Sequence, residues 1–589
     1  VDQPDPQAWG VLPGYHDVHG RWRPASGRAA DDALRAMAAT RRAPPPTNTW
    51  VVTADERVEL PEPALLRTED GGSERVEGTL APVPLGYHTL EFADEAVRLI
   101  VSPGRCPRPA RRAWGWSVQL YATRSRDSWG IGDLADLAQL GRWAAAQGAS
   151  MALVNPLHAP GPGPSPEASP YFPSSRLARN PLYLRIEDIE GARDDHEILA
   201  LAEAARAANA GRIIDRAAVW ELKLAALERL WPSRGAPTEA PAPFAGFATF
   251  SALAERHGPD WRQWPPELRR ADGPAVARFA ARGGAERVAF HGWVQRLLDD
   301  QLAAAAAALP LIGDLAIGAD PGGADAWAWQ DVLAEGVSVG APPDDFAPDG
   351  QDWGFPPFDP WRLRAAHYQP FIDVVRAALD HMSGVRIDHV AGLFRQFWVT
   401  AAGEGVYVRY PWADLLRIIA LESHRAGAVV IGEDLGTVED EARVALAATG
   451  VLSYRLLWFE NEPPANWPEL ALAAVTTHDL PTIAGMCTGS DAPVESEALL
   501  QRLARASGRD PRGQVGEVVL GAYRALAESP CLLAAVTFED ALSVPERPNV
   551  PGATGEHPNW CLALPQPLEA IEGDERAARL AAVMRDAGR

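Results

Sequence analysis

Two hydrophobic patterns divide the chain. Up to about residue 112 the apolar positions alternate in short runs: Val51-Val52-Thr53, Arg75 to Leu80, Tyr87 to Phe92 and Ala96 to Val101. Turn clusters, Glu69-Asp70-Gly71-Gly72 and Ser102-Pro103-Gly104, separate them. This period-two pattern predicts a small antiparallel β domain over residues 1–112, with one helix around residues 30–40 and a linker at Cys106-Pro107-Arg108-Pro109. After Trp114 continuous apolar runs alternate with helical stretches. Predicted buried strands are Trp116 to Tyr121, Met151 to Asn155, Leu311 to Leu315, Val385 to Asp388, Val429 to Glu433, Tyr454 to Phe459 and Ala473 to Thr477. Helices are predicted between them at Leu134 to Gln147, Tyr368 to His381 and Ala413 to Ala426. Alternation on this scale predicts an α/β fold, a parallel sheet closed as a (β/α)₈ barrel over residues 113–589. Residues from about 190 to 300 break the rhythm with Ala-, Arg- and Glu-rich helices and predict a helical insertion.

Composition narrows the function classes. The 589 residues include 55 Lys+Arg against 78 Asp+Glu, a net charge of −23, which disfavours nucleic acid and anionic membrane surfaces as partners. Every basic side chain except Lys223 is arginine, so lysine-based covalent catalysis would have to rest on that one residue. The four cysteines, Cys106, Cys487, Cys531 and Cys561, form no CxxC pair, and we expect reduced thiols. Neither a basic-plus-apolar leader nor an apolar run of about 18 residues is present, so a cytoplasmic location is expected.

Several predicted strands end on polar clusters: Leu311-Ile312-Gly313-Asp314, Val385-Arg386-Ile387-Asp388-His389, Ile431-Gly432-Glu433-Asp434 and Val475-Thr476-Thr477-His478-Asp479. A single Asp after a strand is commonly a helix cap. Three clusters in strand–helix units, each with an acid and two beside Arg or His, point instead to the C-terminal face where barrel enzymes carry their chemistry. Convergent carboxylates near Arg and His suit glycosyl transfer, with one nucleophile and one general acid. They also suit metal-assisted hydrolysis. HxH, HExxH and paired Cys are missing from the chain, which disfavours the metal reading without deciding it.

The segments Val385 to Leu393, Ile431 to Val438 and Thr477 to Thr482 resemble the three catalytic segments of the amylomaltases, the 4-α-glucanotransferases of glycoside hydrolase family 77 in the α-amylase superfamily. Further matches run in order from Ser125 to Leu134 through Ser169 to Ser175, Asn180-Pro181-Leu182-Tyr183, Gly340 to Asp344 and Gly350 to Gly354. They end at Asn549 to Thr554 and Pro558-Asn559-Trp560. The resemblance covers about Trp114 to Leu564, and residues 1–112 resemble the N-terminal extension of longer bacterial members, most clearly at Pro84-Leu85-Gly86-Tyr87-His88.

The resemblance implies a cytosolic enzyme moving α-1,4-glucan segments between malto-oligosaccharide donors and acceptors. It implies no cofactor, no metal, and a monomer or homodimer. Asp388 corresponds to the nucleophile, Glu433 to the acid/base, and Asp479 to the acid that grips sugar hydroxyls as positive charge develops. A retaining pair is expected about 5–5.5 Å apart. Arg386, two residues from Asp388 on the same strand face, is expected to keep it ionised. Tyr171 corresponds to a tyrosine stacked on sugar, His389 and His478 to sugar-binding histidines, and Asp314 to a further substrate-binding acid. Gly340 to Gly354 corresponds to a flexible loop with Asp344, Gln351 and Trp353 on the glucan. Thr400-Ala401-Ala402-Gly403 departs from the usual Pro-containing segment, and Lys223 falls where relatives often carry lysine. An α-glucan hydrolase, a metal-dependent hydrolase and a non-catalytic glucan-binding protein are the rival readings.

Overall fold

The structure, a computed structural model, describes residues 3–17, 19–80, 82–231, 244–343, 347, 349–436, 438–491, 496–553, 555 and 557–589. Eight parallel strands close into a barrel in chain order. They are β1 (Ala113–Val118), β2 (Met151–Val154), β3 (Leu311–Leu315), β4 (Gly384–Ile387), β5 (Val429–Gly432), β6 (Leu452–Leu456), β7 (Ala471–Ala474) and β8 (Leu533–Thr537). β2, β3, β4, β7 and β8 are buried throughout, which explains why they read as continuous apolar runs. β8 was not anticipated. Its Leu-Ala-Ala-Val-Thr run is short and Ala-rich, and follows closely on the helix Val515–Glu528.

Between β2 and β3 lie helices at His196–Arg206, Arg216–Leu230 and Ala245–His257, then Ala285–Ala308, which packs on the barrel helix Leu134–Ala146. The Ser125-to-Leu134 motif is a scaffold. Asp133 caps Leu134–Ala146 in a capping box with Asp136, and Ser128 Oγ donates to Asp136 Oδ2 at 2.6 Å. Arg185 joins them, with Nε 2.6 Å from Asp133 Oδ2 and Nη2 2.5 Å from Asp136 Oδ1. Lys223 is fully buried beside this cluster, its Nζ donating to the carbonyls of Leu182 (2.6 Å) and Leu184 (2.7 Å) on either side of Tyr183. The lone lysine therefore holds backbone and is no covalent catalyst.

Two expectations change. The N-terminal sheet is mixed rather than antiparallel: Thr49–Thr53 runs parallel to Ala96–Ser102, and the remaining pairs are antiparallel. The stretch that joins the two parallel strands carries the sheet's other strands, Ala64–Arg67, Ser73–Val76 and Gly86–Glu91, and is long enough for such a crossover. The Gly340-to-Gly354 stretch begins and ends in strand. Val337–Ala341 and Gln351–Phe355 form a hairpin that extends, through Arg395–Thr400 and Gly405–Arg409, into a four-stranded antiparallel sheet beyond the barrel. Residues 10–12 bond to that sheet, Leu12 N to Tyr407 O at 2.9 Å and Arg409 N to Gly10 O at 2.8 Å. Among the described residues no helix is long and apolar enough to cross a membrane.

Removing Arg185 would strand two buried carboxylates. Arg185→Leu should therefore cost about 3–5 kcal/mol, read as a lowered denaturant midpoint; an unchanged midpoint would contradict the scaffold role.

Candidate active site

Strand register creates the site. Ile387 pairs with Gly432, so the residues that follow them, Asp388 and Glu433, leave adjacent strands at the same level. Neighbouring strands lie about 4.8 Å apart, which brings the two carboxyl groups face to face. Asp314 on β3 pairs in register with Arg386 on β4. Arg386 Nη1 donates to Asp314 Oδ1 at 2.7 Å and to Asp388 Oδ1 at 3.1 Å, with the arginine side chain only 5% exposed. Glu433 accepts from two backbone amides, His389 N to Oε2 and Leu435 N to Oε1, both at 2.9 Å. His389 adopts the left-handed conformation, φ +46°, unusual for a residue with a side chain. That turn aims its amide at Glu433 while its ring stays beside Asp388.

From the β7 side, Asp479 Oδ2 lies 3.3 Å from His478 Nε2, and Asp479 Oδ1 accepts from Asn549 Nδ2 at 2.7 Å. Arg547 Nη1 holds the Asp479 carbonyl at 2.7 Å. Tyr171 closes the ring: its hydroxyl donates to Asp314 Oδ2 at 2.6 Å, and its ring stacks on His478 at 4.8 Å. Trp353 meets His389 edge-on at 5.2 Å and accepts support from Gln351, whose Oε1 takes the indole N–H at 2.9 Å.

Asp388, Glu433, Asp479, Asp314, Arg386, Tyr171, His389 and His478 thus come together, and Trp353 reaches the rim. Gln351 is exposed and joins only through Trp353. Asp344 lies outside the described residues.

Four contributors were not singled out from the sequence. Asn549 and Arg547 fix Asp479. Trp560, itself left-handed at φ +62°, wedges behind Tyr171 (5.5 Å) and His478 (5.1 Å). Its carbonyl is held at 2.6 Å by Arg216 from the insertion. Asn549 and Trp560 sat in matched motifs, which was the available signal. Glu539 follows the unanticipated β8 and is buried, and that burial pushes its carboxyl up to about 7. Among the described residues a separate His–carboxylate grouping, Asp299, Asp380 and His381, precedes β4 on the barrel's opposite end.

Burial raises the Asp388 carboxyl above the ordinary range; Arg386 opposes that rise, while Asp314 and Glu433 add to it. Glu433 is raised by burial too, opposed by Arg386 and by the two amides. Arg386 thus favours the ionised form of Asp388 in competition with burial. It touches Asp388 directly and opposes the rise of Glu433 without touching it. Burial would lower His478, but the Asp479 carboxylate outweighs it and raises the imidazole. Burial would raise Asp479, but His478 and Asn549 bring it down. Burial lowers His389.

The glycoside hydrolase family 77 model, described as 4-alpha-glucanotransferase, matches residues 118–567. This chain belongs to that family. A 4-alpha-glucanotransferase of Mycobacterium tuberculosis (strain ATCC 25618 / H37Rv) is 42% identical over 590 aligned residues, covering 86% of this chain and 80% of the relative. One from Haemophilus influenzae is 33% identical, covering 84% and 83%. The amylomaltase structure from Corynebacterium glutamicum superposes with a TM-score of 0.84 at 30% identity over 98% of both chains. The shorter Streptococcus agalactiae amylomaltase, at 20% identity, shares the fold with a TM-score of 0.66, using 81% of this chain and 100% of its own. The chain is accordingly a 4-α-glucanotransferase on a (β/α)₈ barrel.

The charge arrangement predicts a pH effect. Read as the nucleophile, Asp388 must be ionised to attack, so the acid limb of kcat/KM is expected to follow its titration. Arg386→Leu removes the group that opposes the upward push of burial. The acid limb should move to higher pH and kcat fall by about 10²-fold or more. A limb that stays in place would refute the electrostatic role.

Proposed function

We propose that this 4-α-glucanotransferase moves α-1,4-glucan segments between malto-oligosaccharides by a retaining double displacement. The observation that carries the reading is the register-matched pair Asp388/Glu433 with its unequal partners: a guanidinium on one carboxylate and neutral amides on the other. Asp388 attacks the anomeric carbon while Glu433 gives its proton to the departing glycosidic oxygen, leaving a β-linked glucosyl-enzyme. The aglycone leaves. An acceptor 4-hydroxyl then takes its place, loses its proton to Glu433 and attacks the same carbon, releasing Asp388 and restoring the α-linkage. Two inversions give retention.

Asp479, kept ionised by His478 and Asn549, accepts hydrogen bonds from the sugar hydroxyls that acidify as the ring gains oxocarbenium character. Tyr171, backed by His478 and Trp560, offers an aromatic face to the apolar C–H face of the pyranose. Asp314 and Arg386 hold Tyr171 and Asp388 at fixed separation, so the positioning is present before substrate arrives. Trp353 and Gln351 belong to the strand Gln351–Phe355 that borders the cleft and line the path of the glucan. A sugar acceptor and water would use the same base, so the balance between transfer and hydrolysis rests on how well this border excludes water.

Incubation with maltotriose should yield glucose together with longer oligosaccharides, with the number of reducing ends constant. Reducing ends rising one for one with bonds broken would identify a hydrolase instead. Asp388→Asn should lower turnover by at least about 10⁴-fold while maltoheptaose still binds; retained turnover would overturn the nucleophile assignment.

A further inference from the structure

The family match begins at residue 118. A hairpin far upstream of it nevertheless packs against the sheet that carries Trp353. Gly14–His16 and Trp22–Pro24 pair antiparallel, and Tyr15 anchors them edge-on against Phe397 (5.7 Å) and Tyr407 (5.4 Å) of the sheet beyond the barrel. On one side the hairpin walls a groove of about 1110 Å³ shared with Gln351 and Asp352 of the Trp353 strand. There Arg21 and Arg23 are both locked onto Asp17 at 3.0 Å. On the other side it walls a groove of about 330 Å³, whose far bank is Val438 and Glu439 on the segment that begins at Glu433.

Trp22 lines this second groove and is 51% exposed. A solitary exposed apolar residue needs no explanation. This one is held in place. Its indole lies against the bare backbone of Gly14, where a Cβ would fall 2.6 Å from Trp22 Cζ2, and meets the His16 ring at 5.0 Å. Facing it, Arg395 Nη1 pairs with Glu439 Oε1 at 2.8 Å, and Arg409 lines the same wall. A fixed aromatic plate flanked by a guanidinium–carboxylate pair offers a stacking surface together with both donors and acceptors. That is the chemistry of a pyranose with equatorial hydroxyls. An anionic ligand would meet Glu439, and an apolar one would leave the charged wall unused.

We propose that Trp22 and the groove beside it bind glucose residues of a linear α-1,4-glucan remote from the bond being broken. The groove opens beside the segment that carries Glu433, the residue on the side from which the aglycone leaves and the acceptor enters. The bound residues therefore belong to the long acceptor or to the departing part of a long donor. Such a second contact raises the effective concentration of a chain at the cleft when the chain spans both sites, and does nothing for a chain too short to span them. The hairpin thereby gives this enzyme a preference for longer glucans. This inference rests on malto-oligosaccharides being the substrates.

The test is the ratio of kcat/KM for disproportionation of maltoheptaose to that for maltotriose. In Trp22→Ala the ratio should fall about five- to tenfold, the worth of one aromatic–sugar contact, through KM for maltoheptaose. Trp22→Tyr, which keeps a ring, should restore most of it. Trp22 is half-exposed, and a matching thermal midpoint for the variants shows that the fold is intact. A ratio in Trp22→Ala within twofold of wild type, or one that Trp22→Tyr lowers equally, overturns the site. A wild-type enzyme active on neither oligosaccharide overturns both this inference and the substrate reading on which it rests.

Discussion

One buried guanidinium sets the constraint on which the site depends. Arg386 binds Asp314 and Asp388 at once, and almost none of its side chain reaches solvent. Burying a charge is tolerable only where it is paired and hydrogen-bonded, so the arginine and the two acids must be placed together or not at all. Asp314 then orients Tyr171, Tyr171 stacks on His478, and His478 pairs with Asp479. The third acid is thus connected to the first through four side chains, and three barrel strands are held at one level by the chemistry as well as by their backbone ladders.

The same constraint separates the roles of two similar groups. Asp388 and Glu433 are equally deep and follow adjacent strands. They differ in partner: one faces a full positive charge, the other two amide dipoles. In the proposed mechanism the carboxylate beside arginine keeps its charge and the carboxyl on the amides serves as the acid. Outside this ring the supports come from distant parts of the chain. Trp560 backs the Tyr171–His478 stack, and Arg216 from the long insertion holds Trp560, so the insertion braces the site without entering it.

The barrel was legible because most of its strands are buried on both faces and read as apolar runs, and because strand ends carry the polar residues of the active face. β8 was missed because Leu533–Thr537 is short and Ala534 and Ala535 weaken its strand signal, and Glu539 was missed with it. The hairpin Val337–Ala341/Gln351–Phe355 was read as a loop because its turn residues, Gly, Pro and Asp, dominate the stretch, while its strands gain their stability from Arg395–Thr400, more than fifty residues away. The parallel pairing of Thr49–Thr53 with Ala96–Ser102 depends on a partner equally distant in sequence, which alternation alone cannot reveal. The three acids were found by their motifs. Their supports, Asn549, Arg547 and Trp560, needed the fold, because nothing in the local pattern says which carboxylate an asparagine will reach.

The most direct test of the account is to trap the covalent intermediate. Glu433→Gln, incubated with α-maltotriosyl fluoride, whose leaving group needs no acid, should accumulate a glycosyl-enzyme because the step that resolves it lacks its base. Peptide mass spectrometry should then find the maltotriosyl mass on the peptide containing Asp388. An adduct on any other residue, or turnover with no adduct under conditions that consume the fluoride, would contradict the assignment of Asp388 and Glu433 on which the mechanism stands.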